Sequence, residues 1–146
     1  MTKPIWFRPY TITEINDRGR GLLTDHMGIE FTDITDNALI ARMPVDDRTR
    51  QPVGILHGGA SCVLAETLGS VAARMCLDDT VFYPVGLEIN ANHIRSVRNG
   101  FVTGTCIPVH IGRSTHIWNI EIREDATDKL TCVSRLTVAI LKKELT

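Results

Sequence analysis

The chain has 146 residues, 43% hydrophobic and 23% charged, which suits one domain with a real core and leaves no room for two. That mixture excludes a disordered chain. A formal net charge of -1 gives no overall basic field for nucleic acid, although local basic residues can still grip a small phosphorylated ligand.

The N-terminus, MTKPIWFRPYTITE, has charged and polar residues where a signal peptide needs an apolar run. The longest apolar stretches are too short to cross a bilayer, so a cytoplasmic protein with no membrane partner is expected. Thr13 to Arg18 reads as a short helix, capped by Thr11 or Thr13 and ended by Gly19 and Gly21. Gly28 to Thr35 and Ala38 to Val45 flank Asp36-Asn37 and read as a β-hairpin. Asp46 to Leu56, with Pro52 and Gly54, reads as a loop.

Gly58 to Leu77, GGASCVLAETLGSVAARMCL, is long enough and rich enough in Ala and Leu for a helix. Its ionisable acid and base are Glu66 and Arg74 alone, and a helix so apolar around its circumference is expected to be buried on most sides. Four β-rich segments follow: Val81 to Ile94, Gly100 to His110, Thr115 to Arg123 and Lys129 to Leu141. In the last, Cys132, Ser134, Leu136, Val138 and Ile140 fall on one face. Asn99-Gly100 and Glu124 to Asp128 mark turns. This order implies an α+β fold, a curved antiparallel sheet wrapped around one central helix, with strand edges left for a second subunit. Residues 1–146 are expected to form a single domain, since no repeat or linker interrupts them. Cys62, Cys76, Cys106 and Cys132 are widely spaced in apolar segments and read as buried, reduced thiols rather than disulfides or a zinc site.

Glu66 is the most informative residue. A carboxylate among apolar turns is a satisfied structural group, one on a narrow exposed stripe with Arg74, or one whose basicity is tuned for catalysis. Ser70 lies one turn on, within reach of Glu66 or a water it holds. Gln51-Pro52-Val53-Gly54-Ile55-Leu56-His57-Gly58-Gly59 enters the helix. Its glycines let the backbone approach a ligand, and a helix start favours the oxyanion formed when a carbonyl is attacked. A glycine-rich helix entry with a structural His57 would look the same. Gly58 and Glu66 are eight residues apart, about 12 Å of helix rise, so both can meet one carbonyl only across a twofold dimer. His93-Ile94-Arg95-Ser96-Val97-Arg98 and Gly112-Arg113-Ser114 suit phosphate recognition or are solvated basic turns.

MPVDDRTRQPVGILHGGASCVLAETLGSVAA, VGLEINANHIRSVRNG, PVHIGRSTHIWNIEI and SRLTVAIL together resemble the bacterial hotdog thioesterases of the phenylacetate-pathway type, from Ile5-Trp6 to Leu141. The resemblance is nearest to the branch of the 1,4-dihydroxy-2-naphthoyl-CoA thioesterase of menaquinone synthesis and the proofreading thioesterase of enterobactin synthesis. It implies a hotdog fold, hydrolysis of an acyl-CoA or carrier-protein thioester, no metal or redox cofactor, and a homodimer paired into a homotetramer. It implies Glu66 as nucleophile or general base, and Gly58, preceded by His57, as the donor that polarises the carbonyl. Gln51 and Ser70 would position the reacting groups, and His93, Arg95, Ser96 and Arg113 would contact coenzyme A. In the acyl pocket Val53 stands where close relatives often carry Phe, and Tyr83-Pro84 precede Val85-Gly86. The competing readings are a hotdog hydratase or dehydratase, which would need a His paired with an acid in another motif, and a non-catalytic acyl-CoA sensor. Glu66, Gln51 and Ser70 speak against the sensor.

Overall fold

The computed structural model describes residues 3–144; Met1 and Thr2 of the N-terminal stretch, and the last two residues of the expected domain, lie outside them. The elements run α1 (Ile12–Arg18), α2 (Leu23–His26), β1 (Glu30–Ile34), β2 (Leu39–Pro44), α3 (Gly58–Met75), β3 (Phe82–His93), β4 (Phe101–Ile111), β5 (Thr115–Glu124) and β6 (Leu130–Lys142). Thr11 caps α1, its hydroxyl accepting the Glu14 N–H at 3.2 Å. The four-residue α2 has no side-chain cap and left no periodic trace in the sequence. The hairpin forms as expected, with Thr35 and Ala38 closing its turn, but β1 starts at Glu30. Gly28, expected to open the strand, has φ +68°, which no extended residue adopts.

All six strands form one antiparallel sheet in the order β1-β2-β4-β5-β6-β3. The hotdog arrangement follows: α3 lies in the concave face of this curved sheet. Its Ala60, Leu64, Ala65, Leu68, Ala72 and Ala73 are buried against the strands with Trp118, Ile120, Leu136 and Val138. Two glycines set how close it lies. A Cβ on Gly104 would stand 2.6 Å from Leu68 Cδ1, and one on Gly69 2.5 Å from Leu136 Cδ2. Cys132, Ser134, Leu136, Val138 and Ile140 share the buried face of β6, as their alternation predicts.

β3 does not pair with β4, its successor in the chain. It crosses to the far edge of the sheet and pairs with β6, so residues 94–100 must pass β6 and β5, about 14 Å of sheet at 4.8 Å per strand. That crossover runs beneath the start of α3: Val97 is buried, and its carbonyl accepts the Leu56 N–H at 2.7 Å. Among the described residues no strand pairs with the outer edge of β3. The register slips between Gly86 and Glu88, leaving Leu87 as a bulge that is 63% exposed. Among the described residues no helix is long and apolar enough to cross a membrane.

His116, on β5, is 1% exposed and meets the Trp118 ring edge-on at 6.1 Å. Burial holds its pKa below the ordinary 6.5; a backbone hydrogen bond at Gly112 opposes this, and the His110 charge adds to it. The unfolded chain, titrating near 6.5, therefore takes up a proton that the folded chain refuses. His116's neutral burial contributes fully above that pH and costs stability as pH falls below it. The thermal midpoint should drop between about pH 7.5 and 5.5, and His116→Phe should flatten the drop. An unchanged slope in a folded variant would assign the acid sensitivity elsewhere.

Candidate active site

α3 opens at His57, whose extended backbone ends the loop and whose Nδ1 accepts the Gly59 N–H at 2.8 Å. An accepting ring nitrogen carries no proton, so in the neutral ring the hydrogen sits on Nε2. Ala60 and Ser61 donate to the His57 carbonyl at 3.0 and 3.3 Å. Among the described residues, the Gly58 N–H is thus the one donor of the first turn left without an acceptor, at the positive end of the helix. Imidazoles crowd both glycines: a Cβ on Gly58 would stand 2.9 Å from His93 Nε2, and one on Gly59 2.9 Å from His57 Nδ1.

A groove of about 330 Å³ opens at this donor, bordered by Gln51, Gly58, Ser61, His93, Arg95 and Ser96. Gln51 Oε1 accepts the Val53 N–H at 2.9 Å. Only the oxygen of an amide can accept, so its NH₂ is left to donate. Arg95 and Ser96 are exposed on the crossover, where the Ile94 and Arg95 N–H groups both donate to the Thr131 carbonyl. Five residues singled out from the sequence therefore converge within one chain. Arg113 does not join them. Its turn leads into Thr115, opposite Ala139, whereas His93 lies opposite Cys132. Seven residues of β6 separate those points, about 23 Å.

Glu66 and Ser70 also stand apart from this groove. Of the placements open to it from the sequence, Glu66 takes the exposed stripe it shares with Arg74, because the Leu64 and Leu68 stripe takes the sheet and turns Glu66 toward the edge strand. There Glu66 Oε1 lies 2.7 Å from the position a Cβ on Gly86 would occupy, so the carboxylate rests against bare backbone at the β3 bulge. Gly86 has a role in holding Glu66 that was not drawn from the sequence, although a lone glycine inside a strand is the mark of such a close approach. Ser70 borders a second groove of about 350 Å³ with Arg74, Tyr83 and Pro84. The candidate residues thus fall into two clusters, one at the helix start and one along its middle.

The cysteines offer no competing nucleophile. Cys106 and Cys132 are buried and Cys62 and Cys76 half-buried. Burial and then the Glu66 charge push the Cys62 thiol up, and burial pushes Cys76 up to about 12 and Cys132 to about 11. None is a thiolate at neutral pH. Among the described residues no group of three or more His, Cys, Asp or Glu side chains is arranged to hold a metal ion.

Residues 53–131, carrying the helix entry, α3 and most of the sheet, match the thioesterase superfamily. A 1,4-dihydroxy-2-naphthoyl-CoA hydrolase of Escherichia coli is 51% identical over 94% of this chain and 99% of its own. The chain belongs to the thioesterase superfamily. A proofreading thioesterase of Cronobacter turicensis is 47% identical over 94% of this thioesterase and 98% of its own length. Among solved structures, a mutant thioesterase of Pseudomonas aeruginosa superposes with a TM-score of 0.93 at 44% identity, covering 95% of this chain and 99% of that one. The chain is accordingly a thioester hydrolase of the hotdog fold.

The capping role of His57 gives a stability test on this thioesterase. His57→Ala should cost about 1 kcal/mol in urea unfolding, and His57→Asn, which can cap in its place, should recover most of it. An Asn variant as unstable as the Ala variant would mean that His57 contributes something other than the cap.

Proposed function

We propose that residues 1–146 act as a single-domain cytoplasmic hydrolase of acyl-CoA thioesters. The acyl group is taken to be aromatic, as in 1,4-dihydroxy-2-naphthoyl-CoA or benzoyl-CoA, and Glu66 is the catalytic carboxylate. The aromatic acyl group is supported by the name of the Escherichia coli relative, and coenzyme A by Arg95 and Ser96 beside the Gly58 donor. A carrier-protein thioester is the second reading, favoured by the similarity to a proofreading thioesterase.

The observation that carries the proposal is the separation of the two half-sites. The Gly58 N–H is an unused donor in a groove that Glu66 does not border. Eight residues of helix, about 12 Å, stand between them. A twofold pairing of β3 edges would run the two strands antiparallel and set Glu66 of the partner subunit opposite Gly58. The same pairing would carry Arg113 of the partner subunit toward the His93 end of β3. Ile107, exposed on the outer face of β4, and Val109, exposed at its bulge, support a further pairing of dimers into a tetramer.

In the composite site the Gly58 N–H and helix dipole draw charge onto the thioester oxygen. Glu66 removes a proton from water, whose oxygen adds to the carbonyl carbon, or its carboxylate adds directly to give an anhydride that water then opens. The tetrahedral intermediate collapses, the C–S bond breaks, and coenzyme A leaves as a thiolate. The Gln51 NH₂ and Ser70 hydroxyl hold the water or carbonyl in line.

Thiol release from benzoyl-CoA tests the chemistry: Glu66→Gln should lower kcat by about 10²-fold or more. Glu66→Ala and Gln51→Ala proteins, each inactive, should regain activity toward half per heterodimer when co-expressed, because one site then holds both defects and the other neither. Verified heterodimers as inactive as their parents would mean that one chain supplies both groups.

Gly86→Ala tests the seating of the carboxylate. Its methyl group would displace Glu66 Oε1 rather than backbone, and a shift of about 1 Å can cost about 10²-fold. The loss should fall on kcat, with KM and the dimer retained; full kcat would show that Glu66 works from another position.

A further inference from the structure

We infer that the acyl group taken by this thioesterase ends in a carboxylate that pairs with Arg74, a carboxylate that 1,4-dihydroxy-2-naphthoyl and benzoyl groups themselves lack. The inference rests on Glu66 and Ser70 marking where the thioester lies. Glu66, Ser70 and Arg74 are spaced four apart on α3 and form one stripe. Arg74 is about 12 Å of helix rise beyond Glu66, and a long helical side chain leans back toward the N-terminus, toward Ser70.

Arg74 and Val71 wall two cavities at once. One is the groove of about 350 Å³ with Ser70, Tyr83, Pro84 and Lys143. The other, about 200 Å³, lies beneath α1 and is lined by Ile15, Leu22, Phe31 and Thr67. An acyl group running along α3 from the thioester meets the same guanidinium by either route.

The charges around Arg74 do not cancel. Its Nε donates to Asp79 Oδ2 at 3.3 Å, but Arg18 Nη1 reaches that same oxygen at 3.5 Å and Lys143 Nζ donates to the Asp79 carbonyl at 2.7 Å. Asp78 is held by the Thr80 N–H and hydroxyl at 3.1 and 2.6 Å. Glu14 also lines the cavity beneath α1 and is paired by Arg8, so four cations, Arg8, Arg18, Arg74 and Lys143, face three carboxylates, Glu14, Asp78 and Asp79, leaving one positive charge over. Among the described residues neither terminal nitrogen of Arg74 has an acceptor, and its side chain is only 36% exposed. Two parallel donors on a planar, half-buried fork match a carboxylate and not an apolar ring or chain. An apolar acyl group would cover that guanidinium without pairing it, at a cost.

The test compares hydrolysis of para-carboxybenzoyl-CoA with benzoyl-CoA, and of adipoyl-CoA with hexanoyl-CoA. In each pair kcat/KM should favour the carboxylated member by about 10-fold or more, the size of a charge-assisted hydrogen bond. Arg74→Met should bring both ratios to one or below, Arg74→Lys should restore part of the preference, and Asp79→Asn, which removes the competing negative charge, should raise it. The inference is overturned if the wild type favours the uncharged members. It is equally overturned if Arg74→Met lowers both members of a pair alike, since Arg74 would then only brace Asp79. Glu66→Gln separates the two levels. If it stays active on all four substrates, the reading of the reaction site fails. If it is inactive while the ratios ignore Arg74, only this inference fails.

Discussion

The close seating of α3 on the sheet is the constraint on which the rest of the molecule depends. Leu64 and Leu68 are fully buried, and Gly69 and Gly104 remove the side chains that would hold helix and strands apart. Close packing of this kind stabilises the fold by several kcal/mol per large side chain and also fixes the helix in rotation. Once one face is committed to the sheet, Glu66, Ser70 and Arg74 have only the opposite side to occupy. The direction this stripe faces is therefore a consequence of core packing.

The helix start shows a second economy. A first turn has four amide donors without helical partners. The His57 imidazole takes one, its carbonyl takes two, and Gly58 keeps the last. Had a serine or aspartate capped this helix, the same donors could be satisfied, but without an imidazole against Gly59 as His93 lies against Gly58. The cap and the open donor are two results of one local arrangement.

Much of this was legible in the sequence because it rests on local rules. The β6 alternation, the Thr11 cap, the Asp36-Asn37 hairpin and the long apolar helix all follow from periodicity and turn chemistry. The separation of Gly58 from Glu66 needed only the helix rise. What was not legible depends on long-range pairing. Nothing local says that β3 crosses to β6, so neither the meeting of Arg95 and Ser96 with Gln51 nor the isolation of Arg113 could be read in advance. Glu66 has apolar neighbours, which left open whether it was buried or on an exposed stripe with Arg74. Those neighbours turn away from it, and a single chain has nothing to cover it. Gly86 was passed over, and Arg74 noted only as the helix's base, for the same reason: each gains meaning only from a residue on another element.

The crossed sheet also bears on how the chain is made. β3 finds its partners 39 to 60 positions further on, His93 with Cys132 and Phe82 with Lys142. Contacts so remote in sequence form late, after β4, β5 and β6 exist to receive them. On a ribosome, β3 would wait unpaired while some fifty residues are synthesised, at about 5–20 residues per second. For those seconds an apolar strand with Val85 and Leu87 on it has both edges free. The interval is one in which nascent chains on neighbouring ribosomes could join prematurely, edge to edge, so the rate of translation through residues 94–142 bears on the yield of correctly assembled enzyme.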